Sequence, residues 1–164
     1  MAPRAADRTA AVERAVAGLI EALGLDPAAE PDLATFAHAS HGDELVLVRD
    51  IAFHSICVHH LVPFFGRALV AYVPGERIIG ISGPARLTDF YSRRPQLQER
   101  MGRQIADHLE RLVEPRGVAV VLEARHLCME MRGIRKFGRV ETRVVRGALA
   151  EPRWAAALRV SRRG

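Results

Sequence analysis

The sequence is poor in aromatic residues and has no long apolar run, and each shortage excludes a class of protein. Aromatic side chains make up only 5% of the 164 residues, and no basic run is interleaved with them as binding of single-stranded nucleic acid requires. No apolar run approaches the roughly 18 residues that a membrane-spanning helix needs. We therefore expect no nucleic acid and no membrane among the partners of this chain.

Lysine is almost absent, so the formal net charge of +5 rests on arginine, and Lys136 is the only lysine. A basic balance suits a phosphate-bearing or anionic small substrate as well as it suits nucleic acid. Apolar residues at 49% and charged residues at 26% are typical of a soluble globular protein. The N-terminal stretch lacks the apolar core of a signal peptide, and we therefore expect a cytoplasmic protein.

Apolar periodicity predicts an N-terminal helix with a connecting loop over residues 1–43, followed by one domain over residues 44–164. The helix covers residues 7–23, and the loop covers residues 24–43. The domain has predicted strands at 44–57, 67–74, 117–131 and 138–149, predicted helices at 83–94 and 95–113, a short apolar piece at 77–82, and a short C-terminal helix at 151–159.

This order of elements indicates an α+β fold with a four-stranded antiparallel sheet covered on one face by helices. An open sheet of this kind has edges to protect, which favours an oligomer whose sheets join across subunits.

Cysteine is scarce as well, and the only two, Cys57 and Cys128, lie in histidine-containing segments. In a cytoplasmic protein a disulfide is unusual, and cysteines more often bind metal or act in catalysis. The first segment, HSICVHHLVPFFG, places His59 and His60 directly after Cys57, and the second, EARHLCMEMRG, places His126 two residues before Cys128 on a predicted strand. Two thiols and one imidazole form the ligand set of a catalytic zinc site, which leaves two histidines for proton transfer.

The structural alternative is that both cysteines are small buried hydrophobes and that the histidines are satisfied core residues. This alternative is stronger for either segment alone, whereas the pair of segments favours a metal site. The remaining histidines have no such neighbours, and we predict that they are surface or loop residues: His38, His41, His54 and His108.

The chain from about Arg49 to Gly147 resembles GTP cyclohydrolase I. The resemblance is carried, in order and with matching spacing, by the stretches CVHHLVPFFGRALVAYVP, IIGISGPAR, RRPQLQERMGRQIADHL and GVAVVLEARHLCMEMRG. It implies a tunnelling fold (ββααββ) whose sheets join across subunits into a ring, and a homodecamer of two pentameric rings. It also implies opening of the imidazole ring of a purine at C8, with release of formate.

The resemblance further implies roles for ten residues. Zinc is bound by Cys57, His60 and Cys128, and protons are transferred by His59 and His126. The guanine edge is held by Gln98 and Glu99, because a carboxylate accepts two hydrogen bonds from N1–H and the 2-amino group. The triphosphate is contacted by Ser82, Arg86 and Arg132, and the planar guanidinium fork suits phosphate oxygens.

Three departures from the family pattern change what we expect of the substrate. Val58 stands where the family usually has an acid, Gly83 stands where it usually has a lysine, and residues 26–43 contain no Lys or Arg where further phosphate contacts are usual. Charge-assisted bonds are worth ~1.5–3 kcal/mol each, so losing several weakens triphosphate binding by orders of magnitude. We therefore predict a divergent cyclohydrolase for a guanine-like substrate without a triphosphate, in a specialised-metabolite pathway.

The first alternative is ordinary GTP cyclohydrolase I activity, which makes dihydroneopterin triphosphate and formate from GTP. Four arginines near the final strands are candidates to rebuild an anion site: Arg125, Arg135, Arg139 and Arg143. A second alternative is another ring-modifying enzyme of the same superfamily, such as a reductase with a nucleophilic cysteine and no zinc. A third is a binding protein with a structural zinc, although structural zinc sites usually have four protein ligands.

Overall fold

The structure is a computed structural model that describes residues 10–15, 17–18, 30–39, 42 and 44–159. Residues 10–15 and 17–18 are helical, in agreement with the predicted N-terminal helix as far as it is described. The rest of that helix and part of the predicted loop after it, including His41, lie outside the described residues.

In the part of the chain that the structure describes, seven strands form two sheets. The strands are β1 (Thr35–Ala37), β2 (Val46–Cys57), β3 (Pro63–Val73), β4 (Arg77–Ile79), β5 (Pro95–Gln96), β6 (Gly117–His126) and β7 (Arg139–Gly147). The main sheet has the order β5-β2-β3-β6-β7, in which the four long strands are antiparallel and the short β5 runs parallel to β2. Strands β1 and β4 form a separate antiparallel pair.

The helices are α1 (Gly83–Ser92), α2 (Gln98–Val113) and α3 (Leu127–Glu130). Two long strands, two helices and two long strands follow one another along the chain, which confirms the α+β fold class and its ββααββ order. None of the described helices is long and apolar enough to cross a membrane.

The main core lies between the sheet and helices α1 and α2. Side chains of alternate strand residues point to this face, because successive residues of a strand project to opposite sides. Its fully buried members include Phe53, Phe64, Tyr72, Leu87, Met101, Ile105, Leu109 and Leu122. A smaller cluster on the other face, around Leu69 and Val121, is covered by Leu149 and Leu158 of the C-terminal segment. Helices therefore cover one face, and a short irregular segment covers part of the other.

The second predicted helix was expected to begin at Pro95, which is wrong. Residues Pro95 and Gln96 form β5 beside β2, and α2 begins at Gln98 after an extended Leu97. Tertiary hydrogen bonds hold this extended segment: Val58 donates its backbone N–H to Gln96 O at 3.1 Å, and Arg100 Nη2 donates to Pro95 O at 2.8 Å. These bonds override the local tendency of proline to occupy a first helical turn.

Other sequence expectations also need correction. Residues 35–37 of the predicted loop form β1, because its backbone pairs with β4. The predicted C-terminal helix at 151–159 is only a short 3₁₀ turn at Pro152–Trp154 followed by further turns. Strand β6 ends at His126, so Cys128 lies in the helical turn α3 rather than on a strand.

The prediction that His108 is a surface or loop residue is wrong. His108 is only 3% exposed and lies on the inner face of α2 beside Leu109. Its Nδ1 is 3.0 Å from the hydroxyl oxygen of Tyr91 on α1, so a buried partner satisfies the ring. The helical spacing of residues 101, 105 and 108 places this histidine on the apolar stripe of the helix.

Candidate metal centre and its surroundings

The first two candidate ligands come from the end of β2. Strand β2 ends at Cys57, and the chain then makes a turn in which Leu61 N–H donates to Cys57 O at 2.8 Å and Leu61 adopts a left-handed φ of 53°. The turn folds His60 back over the cysteine, and His60 Nδ1 lies 3.6 Å from Cys57 Sγ. Because Cys57 and His60 are only three positions apart, this turn brings the thiol and the imidazole together.

The third candidate ligand comes from the far end of β6. Strand β3 pairs with both β2 and β6, and Phe64 of β3 lies opposite Ser55 on one side and His126 on the other. The end of β2 and the end of β6 thus reach the same edge of the sheet, where α3 carries Cys128. The Sγ atoms of Cys57 and Cys128 and a ring nitrogen of His60 all lie within 4.8 Å of one another.

These three atoms fit a zinc ion. In a tetrahedral site with Zn–S near 2.3 Å and Zn–N near 2.0 Å, ligand atoms lie about 3.5–3.8 Å apart, and the observed separation of Cys57 Sγ from His60 Nδ1 is in this range. Cys57 is buried, Cys128 is half-buried and His60 is exposed. The cluster therefore has one open side, and three ligands leave a fourth position for a small molecule, as in catalytic zinc sites.

The electrostatics of the two thiols are consistent with a bound cation. Burial raises the pKa of the Cys128 thiol, and the adjacent Cys57 raises it further, while Arg132 acts weakly in the opposite direction. The Cys128 thiol is therefore a poor thiolate by itself. A divalent cation reverses this preference, because it is the largest local charge and deprotonates a coordinating thiol.

His126 lies beside this cluster in a tightly fixed position. Its ring stacks on Phe64 with the centroids 4.7 Å apart and the planes 4° from parallel. Its Nε2 lies 2.7 Å from Oε1 of Gln98. Burial lowers the pKa of His126, and the charge of Glu99 acts in the opposite direction.

Gln98 is engaged inside the protein. Its side chain is 2% exposed, and its amide nitrogen lies 2.9 Å from Leu122 O, 3.0 Å from Val140 O and 3.2 Å from Thr142 Oγ1. The resemblance implied that Gln98 holds the guanine edge, and the structure shows its side chain hydrogen-bonded to β6, β7 and His126. Sequence reasoning missed this arrangement because the strands that accept its hydrogen bonds are 24 and more residues away.

The remaining predicted residues near the cluster are exposed. Glu99 lies in the first turn of α2, directly after the buried Gln98, and is close enough to His126 to influence its pKa. His59 is exposed next to His60, with ring centroids 6.1 Å apart. The structure therefore places Glu99 near His126, and His59 next to the candidate ligand His60.

The predicted phosphate contacts are divided between two places. Arg132 is exposed just after α3 and is close enough to Cys128 to lower the pKa of its thiol slightly. Ser82 and Arg86 lie at the start of α1, where Ser82 makes no capping bond through its side chain and Arg86 Nη1 donates to Asp32 O at 3.3 Å. No hydrogen bond or ion pair among the described residues joins Ser82 or Arg86 to the metal cluster.

Gly83 is closely packed. A Cβ atom at this position would lie 2.3 Å from both Cγ1 and Cδ1 of Ile79, whose side chain is only 5% exposed. Any larger residue, including the lysine that the resemblance leads one to expect, requires Ile79 to move.

Comparison with known proteins identifies the group to which these features belong. A sequence model described as GTP cyclohydrolase I matches residues 4–160. A protein of Thermobifida fusca (strain YX) named GTP cyclohydrolase 1 is 54% identical over 131 residues, which cover 78% of this chain and 63% of the relative. A protein of Brevibacillus brevis with the same name is 44% identical over 162 residues, covering 83% of this chain and 87% of the relative.

The chain is similar to only part of some relatives, since it spans 63% of the length of the Thermobifida fusca protein. Among solved structures, the archaeosine synthase QueF-Like in the apo form matches with a TM-score of 0.46 and 20% sequence identity, over 60% of this chain and 91% of that chain.

Proposed function

The chain belongs to the GTP cyclohydrolase I family, and from this premise we propose that it is a zinc-dependent cyclohydrolase that opens the imidazole ring of a guanine-type substrate at C8. The observation that carries the proposal is the convergence of Cys57, His60 and Cys128 at one edge of the sheet. Two further histidines, His59 and His126, are not among these candidate ligands. A zinc ion at such a site lowers the pKa of a water ligand to near ~7, which supplies a nucleophile at neutral pH.

The two remaining histidines perform the proton transfers. His126 is held against Phe64 at the edge of the cluster, and His59 is exposed on the other side of His60. Opening an imidazole ring requires protonation of the departing ring nitrogen and removal of a proton from the attacking water. Histidine suits both steps because its ordinary pKa lies near neutral pH.

Glu99 selects guanine. It is exposed in the first turn of α2 and lies near His126, so a base held by its carboxylate would present its imidazole ring toward the metal cluster. The carboxylate accepts from N1–H and from the 2-amino group together, a pair of donors that adenine does not offer. Gln98, which is buried, is given a different role below.

We further infer that the preferred substrate carries fewer phosphates than GTP. Gly83 replaces the usual lysine and is packed against Ile79. Three of the four arginines that were candidates to replace it are ion-paired on their own chain, with shortest N–O distances of 2.6 Å: Arg125 with Glu130, Arg139 with Glu123, and Arg143 with Glu141. A base, nucleoside or monophosphate of guanine, or a modified purine, needs fewer cations and suits a role in a specialised-metabolite pathway.

Ordinary turnover of GTP is the second candidate, and the names of the relatives favour it. Proteins 44–54% identical to this chain are named GTP cyclohydrolase 1. Ser82, Arg86 and Arg132 also remain as exposed groups able to bind phosphate. The reductase alternative is weaker, because the two cysteines meet at one point instead of one cysteine standing alone as a nucleophile.

A substrate panel tests both candidates. The purified zinc-containing protein is incubated with guanine, 8-oxoguanine, guanosine, GMP and GTP, and formate release and the ultraviolet spectrum are followed. We expect turnover of a smaller guanine compound with kcat/KM at least about tenfold above that for GTP, because several charge-assisted contacts are missing. Preferential turnover of GTP would favour the second candidate, and no formate from any compound would contradict cyclohydrolase activity itself.

We also propose that the protein works in the cytoplasm as a homo-oligomer in which sheets join across subunits, with a decamer of two pentameric rings as the expected form. Within the described residues, β7 pairs with a strand on one side only. Large apolar side chains are exposed around the metal cluster and the start of α1, namely Leu61, Ile81, Met131, Ile134 and Phe137. Burial of such exposed apolar side chains against another subunit would be favourable.

A further inference from the structure

We propose that Gln98 is a positioning residue that fixes the ring of His126 with hydrogen on Nε2 and presents Nδ1 to the substrate. The expected kinetic effects of this residue rest on the proposed cyclohydrolase function. The position of the hydrogen on the His126 ring is inferred from geometry alone.

The orientation of the Gln98 amide is determined by its partners. The amide nitrogen lies 2.9 Å from Leu122 O and 3.0 Å from Val140 O, both backbone carbonyl oxygens that only accept hydrogen bonds. The opposite orientation would place the amide oxygen against both carbonyl oxygens, which is repulsive. At 2% exposure, no water is available to relieve such a contact. The nitrogen therefore faces the two strands, and the oxygen faces His126.

This orientation determines which nitrogen of His126 carries hydrogen. Gln98 Oε1 lies 2.7 Å from Nε2 of His126, and an amide oxygen accepts but never donates. Nε2 must then be the donor in both the neutral and the protonated ring. In the neutral ring Nδ1 is the bare nitrogen, and it makes no hydrogen bond with any residue that the structure describes.

The plane of the ring is fixed independently. His126 stacks on Phe64 with 4° between the planes, and Phe64 is fully buried in the core. Stacking prevents the ring from tilting, and the bond to Gln98 prevents it from flipping by half a turn. Nδ1 is thus the only ring nitrogen of His126 that is left to exchange a proton with a substrate, and the ring that carries it is fixed near Glu99.

A first experiment tests the state of the ring without any substrate. The protein is labelled with ¹⁵N-histidine, sedimented with its zinc, and examined by solid-state NMR, with the His126 signals assigned by their loss in His126→Ala. We expect a protonated Nε2 and a bare Nδ1 in the wild type. Gln98→Leu should give a mixture of both tautomers, and Thr142→Val, which leaves both carbonyl acceptors in place, should match the wild type. A bare Nε2 in the wild type would overturn the proposal.

A second experiment separates positioning from direct contact with the base. Gln98→Leu should lower kcat by about ten- to hundredfold with little change in KM, as outer-shell partners of catalytic groups do. The double variant Gln98→Leu/His126→Ala should be no slower than His126→Ala, within the two- to threefold scatter of independent sites. Two results would contradict a positioning role for Gln98. One is a loss of kcat in the double variant equal to the product of the losses in the single variants, and the other is a raised KM with unchanged kcat in Gln98→Leu.

Folding and zinc content of each variant are checked by thermal unfolding and metal analysis, so that a loss of structure is not read as a loss of positioning. If no guanine compound is turned over at all, the proposed function fails, while the NMR result still decides the state of His126.

Discussion

Glu99 and Gln98 are neighbours along the chain but have opposite surroundings. Glu99 is exposed beside His126, and Gln98 is buried against β6 and β7. The first turn of α2 produces this difference, because consecutive residues of a helix point about 100° apart. Glu99 is thus open to a substrate, whereas Gln98 supports His126, which we propose acts on the substrate.

The role of Glu99 leads to the first prediction. In the proposed function, Glu99→Gln removes a carboxylate that would accept two hydrogen bonds from guanine, and bonds to a charged group contribute ~1.5–3 kcal/mol. We expect KM for the guanine substrate to rise by about ten- to hundredfold, with a smaller effect on kcat. The matched control is Glu114→Gln at the other end of α2, which should leave both constants unchanged. Equal kinetics for Glu99→Gln and wild type would exclude Glu99 from base recognition.

The start of α1 contains Gly83, where the sequence resemblance leads one to expect a lysine. The helix begins at Gly83 with no acidic residue in its first turn and no capping bond from Ser82. Its N-terminus therefore keeps a positive potential, but the side chain that would add a full charge is missing. Ile79 fills the space that such a side chain would enter.

The second prediction concerns restoration of the missing cation. Gly83→Lys alone should destabilise the protein by about 1–3 kcal/mol, because the new Cβ forces Ile79 out of its position. Adding Ile79→Ala removes both atoms that the new Cβ would meet, so part of this loss should be relieved and the lysine accommodated. The relevant measurements are urea unfolding and the ratio of kcat/KM for GTP to that for guanosine. We expect the double variant to shift this ratio toward GTP relative to Ile79→Ala alone. An unchanged ratio would mean that the loss of lysine does not determine the substrate.

The contact between α1 and α2 contains a buried titrating group and gives the third prediction. Burial lowers the pKa of His108, nearby Arg111 lowers it further, and Glu30, with a carboxylate oxygen 3.9 Å from Nε2, acts in the opposite direction. As the pH falls below about 6.5, the unfolded chain binds a proton that the folded chain resists, so the free energy of unfolding decreases.

Replacing His108 by glutamine removes this titration and leaves a polar group for Tyr91. Urea unfolding at pH 7.5 and at pH 5.5 should show a larger loss of stability for the wild type than for His108→Gln. His54→Gln, at an exposed strand position, serves as the control and should behave as the wild type does. An equal loss in the wild type and His108→Gln would show that His108 is not the source.

Sequence alone predicted the class of elements better than it predicted their surroundings. The three candidate ligands were implied by the family resemblance, and the structure brings Cys57, His60 and Cys128 together. Three features depend on partners far along the chain. They are the residue at which α2 begins, the burial of His108 and the hydrogen bonds of Gln98. Local patterns do not contain this information, because tertiary hydrogen bonds and packing override local propensity.

At the scale of the whole molecule, the open edge of β7 and the exposed apolar residues near the metal cluster support an assembly. The fourth prediction is that native mass spectrometry at micromolar concentration detects ten chains, and that Phe137→Asp reduces the assembly, because a charge in an apolar interface is costly. Arg159→Asp is the control for added charge at a site on the C-terminal segment and should assemble normally. A purely monomeric wild type would contradict sheets joined across subunits.

The account as a whole depends on one zinc ion held by Cys57, His60 and Cys128 at the meeting point of two strand ends. The most direct test is zinc-edge X-ray absorption on protein purified without chelators, combined with elemental analysis. We predict about one zinc per chain with two sulfur neighbours near 2.3 Å and two lighter neighbours near 2.0 Å, and loss of one sulfur or of the metal in Cys128→Ser. Protein without stoichiometric zinc, or zinc without sulfur neighbours, would contradict the central claim.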